Sequence, residues 1–111
     1  MSDAISRLHA AVTRVARTAN GPSRTARLLQ SGRAKMAKKL VEEAAEVTLD
    51  AVGGDKAAVI RESADLIYNL TVLWADMGIA PEDVWDEMDR RERLYGLAEK
   101  LQKGPVAVSG R

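Results

Sequence analysis

The residues with the clearest chemical potential are five acids in the middle of the sequence. Glu42, Glu43 and Glu46 form one group, and Glu62 and Asp65 form a second one further along the chain. Residues three apart on a helix project from neighbouring turns of one face, so each group supplies a side-by-side carboxylate pair. Two such pairs facing each other would repel strongly unless a cation lay between them. The spacing therefore predicts a metal site.

The available ligand types indicate which metal this site would bind. The sequence has no cysteine, and its single histidine, His9, is far from the acids along the chain. Ligation by oxygen alone favours a hard cation, magnesium or manganese, and magnesium suits a substrate that supplies phosphate oxygens. The alternative is a set of solvated acids, with Lys39 and Glu43 as an ordinary helical ion pair. The expected metal ligands are Glu43, Glu46, Glu62 and Asp65.

Charge is distributed unevenly along the 111 residues, although the net charge is only +1. Residues 1–39 contain nine lysines and arginines and one acid, whereas residues 40–89 contain thirteen acids and two basic residues. A basic segment beside an acidic one suits a site that binds both cations and phosphates. The alternative is that the charges of the two segments simply neutralise each other in the folded protein. The candidates for substrate binding are Arg24, Arg27, Lys35, Lys38, Lys39 and Asn69.

Apolar residues recur at helical spacing, and no alternating pattern typical of a strand is present, so we expect an all-α fold. The predicted helices are one ending at Asn20-Gly21-Pro22, then 24–30, 33–52, a helix from an Asp55 cap to Gly78, and one from Pro81 to about Gln102. The two central helices are joined by a tight Gly-Gly-Asp turn and should form an antiparallel hairpin. This hairpin would bring the two acid pairs opposite each other.

The acids are expected to flank the apolar stripes of this hairpin. The stripe of the first central helix is predicted to contain Met36, Leu40, Ala44, Val47 and Ala51. That of the second is predicted to contain Val59, Leu66, Leu70, Leu73 and Met77. Acids beside a buried seam are better placed to share a cation than acids on an outer face.

Composition and length indicate one small globular domain. Hydrophobic residues make up 46% and charged residues 30%, which excludes a disordered chain. We expect a single domain over residues 1–102 and a flexible tail over 103–111. The absence of cysteine, of a long apolar run and of a signal-like start suggests a cytoplasmic protein without a membrane partner.

These motifs resemble those of a known superfamily, the MazG-like all-α nucleoside triphosphate pyrophosphatases, whose metal signature is Glu-Glu-x-x-Glu followed by Glu-x-x-Asp. Within it, the sequence is more similar to the phosphoribosyl-ATP pyrophosphatases of histidine biosynthesis. Residues 23–29, Ser-Arg-Thr-Ala-Arg-Leu-Leu, are similar to that family's Ser-Tyr-Thr-Ala-Lys-Leu-Leu, and residues 62–68 to its Glu-Ala-Ala-Asp-Leu-x-Tyr. Lys35 and Lys39 also match, and the resemblance covers roughly residues 5–101.

The resemblance implies a helical bundle that completes a four-helix core by dimerisation, with sites near the dimer interface. It also implies magnesium as cofactor and hydrolysis of phosphoribosyl-ATP to phosphoribosyl-AMP and pyrophosphate. On this hypothesis Glu42 and Glu43 are catalytic, with Glu42 as a further metal ligand or as the base that orients water. The lysines at 35, 38 and 39 would neutralise pyrophosphate, and Arg24 and Arg27 would bind phosphate.

Two other functions stay open at this level. Arg24, Val41 and Asn69 stand where the family usually has an aromatic residue, glycine and histidine, which leaves room for a house-cleaning pyrophosphatase of other nucleotides. A non-catalytic helical interaction module is the second alternative, and the basic segment gives it some support. The basic residues lack interleaved aromatic residues, so nucleic acid is not an expected partner. The expected partners are a nucleotide and a second copy of the chain, with a higher oligomer as a further option.

Overall fold

The computed structural model describes residues 3–18 and 23–95, and its regular secondary structure within these ranges is entirely helical. The helices are α1 (Ala4–Thr18), α2 (Arg24–Gln30), α3 (Arg33–Val52), α4 (Lys56–Met77) and α5 (Pro81–Tyr95). The prediction of an all-α fold is confirmed. The predicted stop at Asn20-Gly21-Pro22, the end of the last helix near Gln102 and the tail 103–111 lie outside the described residues.

Local sequence signals begin and end these helices as predicted. The Ser23 hydroxyl accepts a hydrogen bond from the Ala26 amide at 3.0 Å and caps α2, and the Asp55 carboxylate does the same for the Ala58 amide of α4. Gly78 ends α4 in the left-handed conformation at φ +74°, which a side chain would disfavour. The α3–α4 turn is therefore fixed by a cap as well as by its glycines.

The core of residues 1–79 forms where α1, α3 and α4 meet. Val12, Met36 and Val72 are each almost completely buried and contact one another. Helix α3 packs along α4, and α1 and α2 also pack against α4. His9 of α1 bonds through Nε2 to the carbonyl oxygen of Ile79, in the segment after α4, at 2.8 Å.

The buried face of α4 differs from the predicted stripe. Ala58, Asn69 and Val72 are buried, whereas Met77 is 49% exposed and the prediction that it faces inward is wrong. Ala51, at the end of the α3 stripe, is likewise exposed. The true face of α4 contains polar positions, which a count of apolar residues alone misses. Of the acids, Glu43 is buried between the helices, Glu62 and Asp65 are half-buried, and Glu42 and Glu46 are exposed.

Residues 80–95 contain α5, which begins at Pro81 with Glu82 and Asp83 in its first turn, as helix N-termini favour. Further along, Glu87 forms ion pairs with Arg90 and Arg91 at 2.7 and 2.8 Å. Hydrogen bonds from these two guanidinium groups lower the pKa of Glu87 to about 2. Among the described helices, none has the length and apolarity needed to span a membrane.

Candidate active site

Three of the predicted metal ligands meet between α3 and α4. Glu43, Glu62 and Asp65 each place a carboxylate oxygen within 4.8 Å of the other two. Glu43 comes from α3, and the other two are neighbours on one face of α4. The antiparallel hairpin therefore brings together acids that are distant in sequence, as predicted. Oxygens this close suit a hard divalent cation that draws them together.

Buried oxygen atoms at this cluster have no hydrogen-bond partner among the described residues. They are Oε1 of Glu43, Oε1 of Glu62 and Oδ1 of Asn69. Buried polar atoms are nearly always paired in folded proteins, so unpaired acceptors in one place indicate a missing donor or cation. Glu43 is only 7% exposed and Asn69 only 2%, so solvent reaches them poorly. The unpaired oxygens of Glu43 and Glu62, which belong to the three-carboxylate group, fit a bound metal ion.

The fourth predicted ligand, Glu46, lies beside Glu62. The Glu46 carboxyl group, to which protonated Glu62 can hydrogen-bond, raises the pKa of Glu62 to about 7. Partial burial, the negative charges of Glu46 and Asp65, and a side-chain hydrogen bond with Glu43 act in the same direction. The raised pKa reflects carboxyl groups close enough to one another to disfavour a further negative charge. A divalent cation would supply the missing positive charge.

A basic cavity of about 310 Å³ adjoins the acids. Its lining comprises Arg24, Arg27, Leu28, Ser31, Lys35, Lys39, Tyr68 and Asn69. Lys39 links it to the cluster, since its Nζ lies 3.7 Å from Oε2 of Glu43. Asn69 provides a second link, because its Nδ2 donates a hydrogen bond of 2.8 Å to the carbonyl oxygen of Asp65. Cationic groups beside a candidate metal site suit a phosphorylated ligand.

Two predicted residues lie apart from this arrangement. Lys38 is exposed and does not line the cavity, although its neighbours Lys35 and Lys39 do. Glu42 is exposed on α3 and does not belong to the three-carboxylate group. The other substrate-binding candidates, Arg24, Arg27 and Asn69, all line the cavity.

Sequence reasoning did not assign Thr25, Ser31 and Tyr68 to this site. Ser31 and Tyr68 line the cavity, and the Tyr68 hydroxyl is 2.6 Å from the Thr25 hydroxyl. Tyr68 also packs against the core. Two signals in the sequence could have placed it at the site: it lies three residues after Asp65, and it is the tyrosine that closes the motif shared with the family over residues 62–68.

Comparisons with known proteins agree with the geometry. The model of the phosphoribosyl-ATP pyrophosphohydrolase family matches residues 5–92. A protein from Rhodopseudomonas palustris named phosphoribosyl-ATP pyrophosphatase 2 is 60% identical over 106 residues, which cover 96% of this chain and 81% of that protein. A protein of the same name from Bradyrhizobium diazoefficiens is 62% identical over 108 residues, covering 97% of this chain and 81% of the relative.

A third relative, phosphoribosyl-ATP pyrophosphatase of Azospirillum brasilense, is 54% identical over 78 residues, 70% of each chain. Identity at this level over most of each chain shows membership of one family. The chain belongs to the phosphoribosyl-ATP pyrophosphohydrolase family.

Proposed function

We propose that this protein hydrolyses phosphoribosyl-ATP to phosphoribosyl-AMP and pyrophosphate, the second step of histidine biosynthesis. The relatives that match most of the chain carry the name of this activity. The observation that supports it most directly is the cluster of Glu43, Glu62 and Asp65 beside a basic cavity. Acids for a metal and cations for phosphates are the two requirements of phosphoanhydride cleavage.

Magnesium is the proposed cofactor, with manganese as the substitute. Glu43, Glu62 and Asp65 would hold it, and Glu46, beside Glu62, would join them from α3. All the donors are carboxylate oxygens, which hard cations prefer. Two of them, Oε1 of Glu43 and Oε1 of Glu62, are buried without a hydrogen-bond partner and are available to bind the ion. When bound, the metal would polarise the phosphate oxygens and lower the pKa of a water molecule.

The cavity would bind the phosphorylated parts of the substrate. The guanidinium groups of Arg24 and Arg27 and the ammonium groups of Lys35 and Lys39 line it from α2 and α3. Arginine suits bidentate contact with a phosphate, and lysine provides a compact charge for the leaving pyrophosphate. Lys38 is exposed and does not line the cavity, so its role in neutralising the pyrophosphate remains a prediction, as a more distant positive charge.

Asn69 is proposed to orient the substrate. Its Nδ2 is engaged with the carbonyl oxygen of Asp65, which fixes the amide so that Oδ1 is the free acceptor. A hydroxyl or amino group of the substrate, or the attacking water, would donate to this oxygen. Because an unmet buried acceptor costs more than a hydrogen bond contributes, a substrate that lacks the donor would bind less well.

Activation of the attacking water is assigned to Glu42 as a prediction. This carboxylate directly precedes the buried Glu43 on α3 and lies outside the three-carboxylate group, so its replacement leaves those three acids in place. A Glu42→Gln variant would then lose kcat while keeping its magnesium-dependent stabilisation. If magnesium stabilisation disappeared as well, Glu42 would be a ligand and not a base.

The hairpin also supports the proposed homodimer. Large apolar residues are exposed along it, namely Val41, Leu49, Val52, Ile60, Ile67 and Met77. Leu49 is 71% and Val52 84% exposed, which is costly for a lone chain and ordinary for an interface. Two hairpins packed through this face would form a four-helix core. A Leu49→Glu variant should sediment as a monomer where the parent sediments as a dimer.

A second candidate function keeps the same metal site and changes the nucleotide. Of the three departures from the family pattern, Arg24 and Asn69 line the cavity, where a substrate would be recognised, whereas Val41 is exposed outside its lining. A house-cleaning pyrophosphatase of other nucleoside triphosphates is therefore the competing proposal.

Release of pyrophosphate from phosphoribosyl-ATP and from a panel of NTPs and dNTPs, with and without magnesium, tests both proposals. We expect turnover of phosphoribosyl-ATP that requires the metal and is lost in Asp65→Asn. High turnover of another nucleotide and none of phosphoribosyl-ATP would support the competing proposal. Absence of turnover on the whole panel would contradict both.

A further inference from the structure

We propose that Tyr68 is a positioning residue that holds the N-terminal turn of α2, and with it Arg24 and Arg27, in place for the substrate. This inference rests on the proposed function, because it concerns how that substrate is bound. It assigns Tyr68 a role beyond packing. We call the Thr25–Tyr68 hydrogen bond the tether, because it links α4, which carries Glu62 and Asp65, to α2, which carries Arg24 and Arg27.

The hydroxyl end of Tyr68 makes a specific contact. Its oxygen lies 2.6 Å from Oγ1 of Thr25, across a separation of 43 residues in the chain. The ring is anchored at its other end, where it packs against the buried group of Val12, Met36 and Val72. A rigid, anchored phenol with one hydrogen-bonding tip can fix the position of a neighbouring turn.

The ring face of Tyr68 makes a second contact. The guanidinium carbon of Arg24 lies 5.7 Å from the ring centroid, within the range of a cation–π interaction. Arg24 is exposed and has many rotamers in isolation, and ordering such a side chain costs entropy when a ligand binds. A ring that already holds the guanidinium at the cavity removes part of this cost.

The shortness of α2 makes the tether important. This helix has seven residues, fewer than the roughly 12 that an isolated helix needs for stability in water. Its position therefore depends on contacts with other helices. At its first turn these include the burial of Ala26, and the Thr25–Tyr68 hydrogen bond is a side-chain bond from this turn to α4. Loss of that hydrogen bond would loosen the turn that carries Arg24 without touching the acids.

Removal of either hydroxyl tests the tether. Tyr68→Phe and Thr25→Val should each raise KM for phosphoribosyl-ATP by about three- to tenfold, the range expected for one hydrogen bond, and change kcat by less than about twofold. The double variant should be no worse than either single variant, because both remove the same bond. Thr25→Ser, which keeps the hydroxyl, should restore the parent KM.

Two controls separate positioning from a general structural effect. Thr18→Val removes a hydroxyl whose hydrogen bond among the described residues lies within α1, at 2.9 Å to the Val15 carbonyl oxygen, and should leave KM unchanged. The increase in Tm on adding magnesium should be the same in Tyr68→Phe as in the parent, because the acids are untouched. Parent-like KM in both Tyr68→Phe and Thr25→Val would overturn the proposal, as would additive effects in the double variant.

The link to Arg24 has its own test. Arg24→Gln should raise KM strongly in the parent and by a clearly smaller factor in a Tyr68→Leu background, which lacks both the hydroxyl that bonds Thr25 and the ring that contacts the guanidinium. Equal factors in the two backgrounds would show that the tether does not act through Arg24. If the parent turns over only another nucleotide, the same variants are measured on that nucleotide, so failure of the tether and failure of the proposed substrate remain distinct.

Discussion

Replacement of Glu43 by glutamine should change the stability of the protein in opposite directions with and without magnesium. Glu43 is 7% exposed and its carboxylate oxygen lies within 4.8 Å of that of Asp65. Two unit charges at this separation repel by about 0.9 kcal/mol at the dielectric constant of water and by about 3.5 kcal/mol at an effective value of ~20. The metal-free protein carries this cost, and Glu43→Gln removes it.

Loss of the pair with Lys39 opposes this gain only weakly. The two charged atoms are 3.7 Å apart and Lys39 is partly exposed, so the pair contributes roughly 0.2–1 kcal/mol. The glutamine amide can in addition donate to a neighbouring carboxylate. We therefore expect metal-free Glu43→Gln to be more stable than the metal-free parent by about 1 kcal/mol, or about 4 °C in Tm for a domain of this size.

Magnesium should reverse the order of stability of the parent and Glu43→Gln. At a concentration 100 times its Kd, magnesium would stabilise the parent by about 2.7 kcal/mol, which is roughly 10 °C in Tm. If loss of one ligand weakens binding about a hundredfold, the variant gains about 0.4 kcal/mol, or roughly 2 °C. The variant should thus be the more stable protein in chelator and the less stable one in magnesium.

Thermal unfolding followed by circular dichroism at pH 8, in EDTA and in magnesium, measures both effects. Glu92→Gln, which removes the same charge at an exposed position of α5, is the matched control and should respond to magnesium as the parent does. Equal increases in Tm for the parent and Glu43→Gln would refute the assignment of Glu43 as a ligand. A less stable metal-free variant would refute the claim that the cluster is under electrostatic strain.

Three further predictions concern the pH dependence and the scaffold. The pKa of Glu62 is raised to about 7 from its ordinary value of 4.5, so the metal-free fold should lose stability as pH rises from 4.5 to 7. Calorimetry near pH 6 should therefore show that magnesium binding releases protons. A binding enthalpy that does not depend on the buffer would contradict this. Asp55→Ala, which removes the α4 cap, should lower the free energy of unfolding by about 1 kcal/mol in urea titrations, and no change would mean that the turn does not depend on the cap. Met36→Ala should cost about 2–5 kcal/mol in the same assay because it leaves a cavity in the core, whereas an exposed control, Met88→Ala, should cost far less.

Much of the site follows from local sequence rules. The cap at Asp55 and the left-handed Gly78 define α4 within one residue, and the glycine pair before Asp55 fixes an antiparallel return. Helical spacing then sets Glu62 and Asp65 side by side. Because these steps involve contacts only a few residues apart, the sequence is sufficient to predict that the acids of α3 and α4 meet.

The rotation of the helices and the contacts between distant residues were decided by packing. Helix α4 contacts α3 along one side and α1 and α2 along others, so its buried face follows Asn69 and Val72 and leaves Met77 exposed. The exposure of Glu42 next to the burial of Glu43 has the same origin, since adjacent helical residues point about 100° apart.

The sequence by itself determined the helices, their turns and the acids that could hold a metal. Tertiary structure decided which oxygens are buried without partners and how Tyr68 reaches Thr25, 43 residues away. The physical reason is range: caps and helical periodicity act over three or four residues, whereas the pairing of a buried atom depends on which surfaces the whole chain brings together.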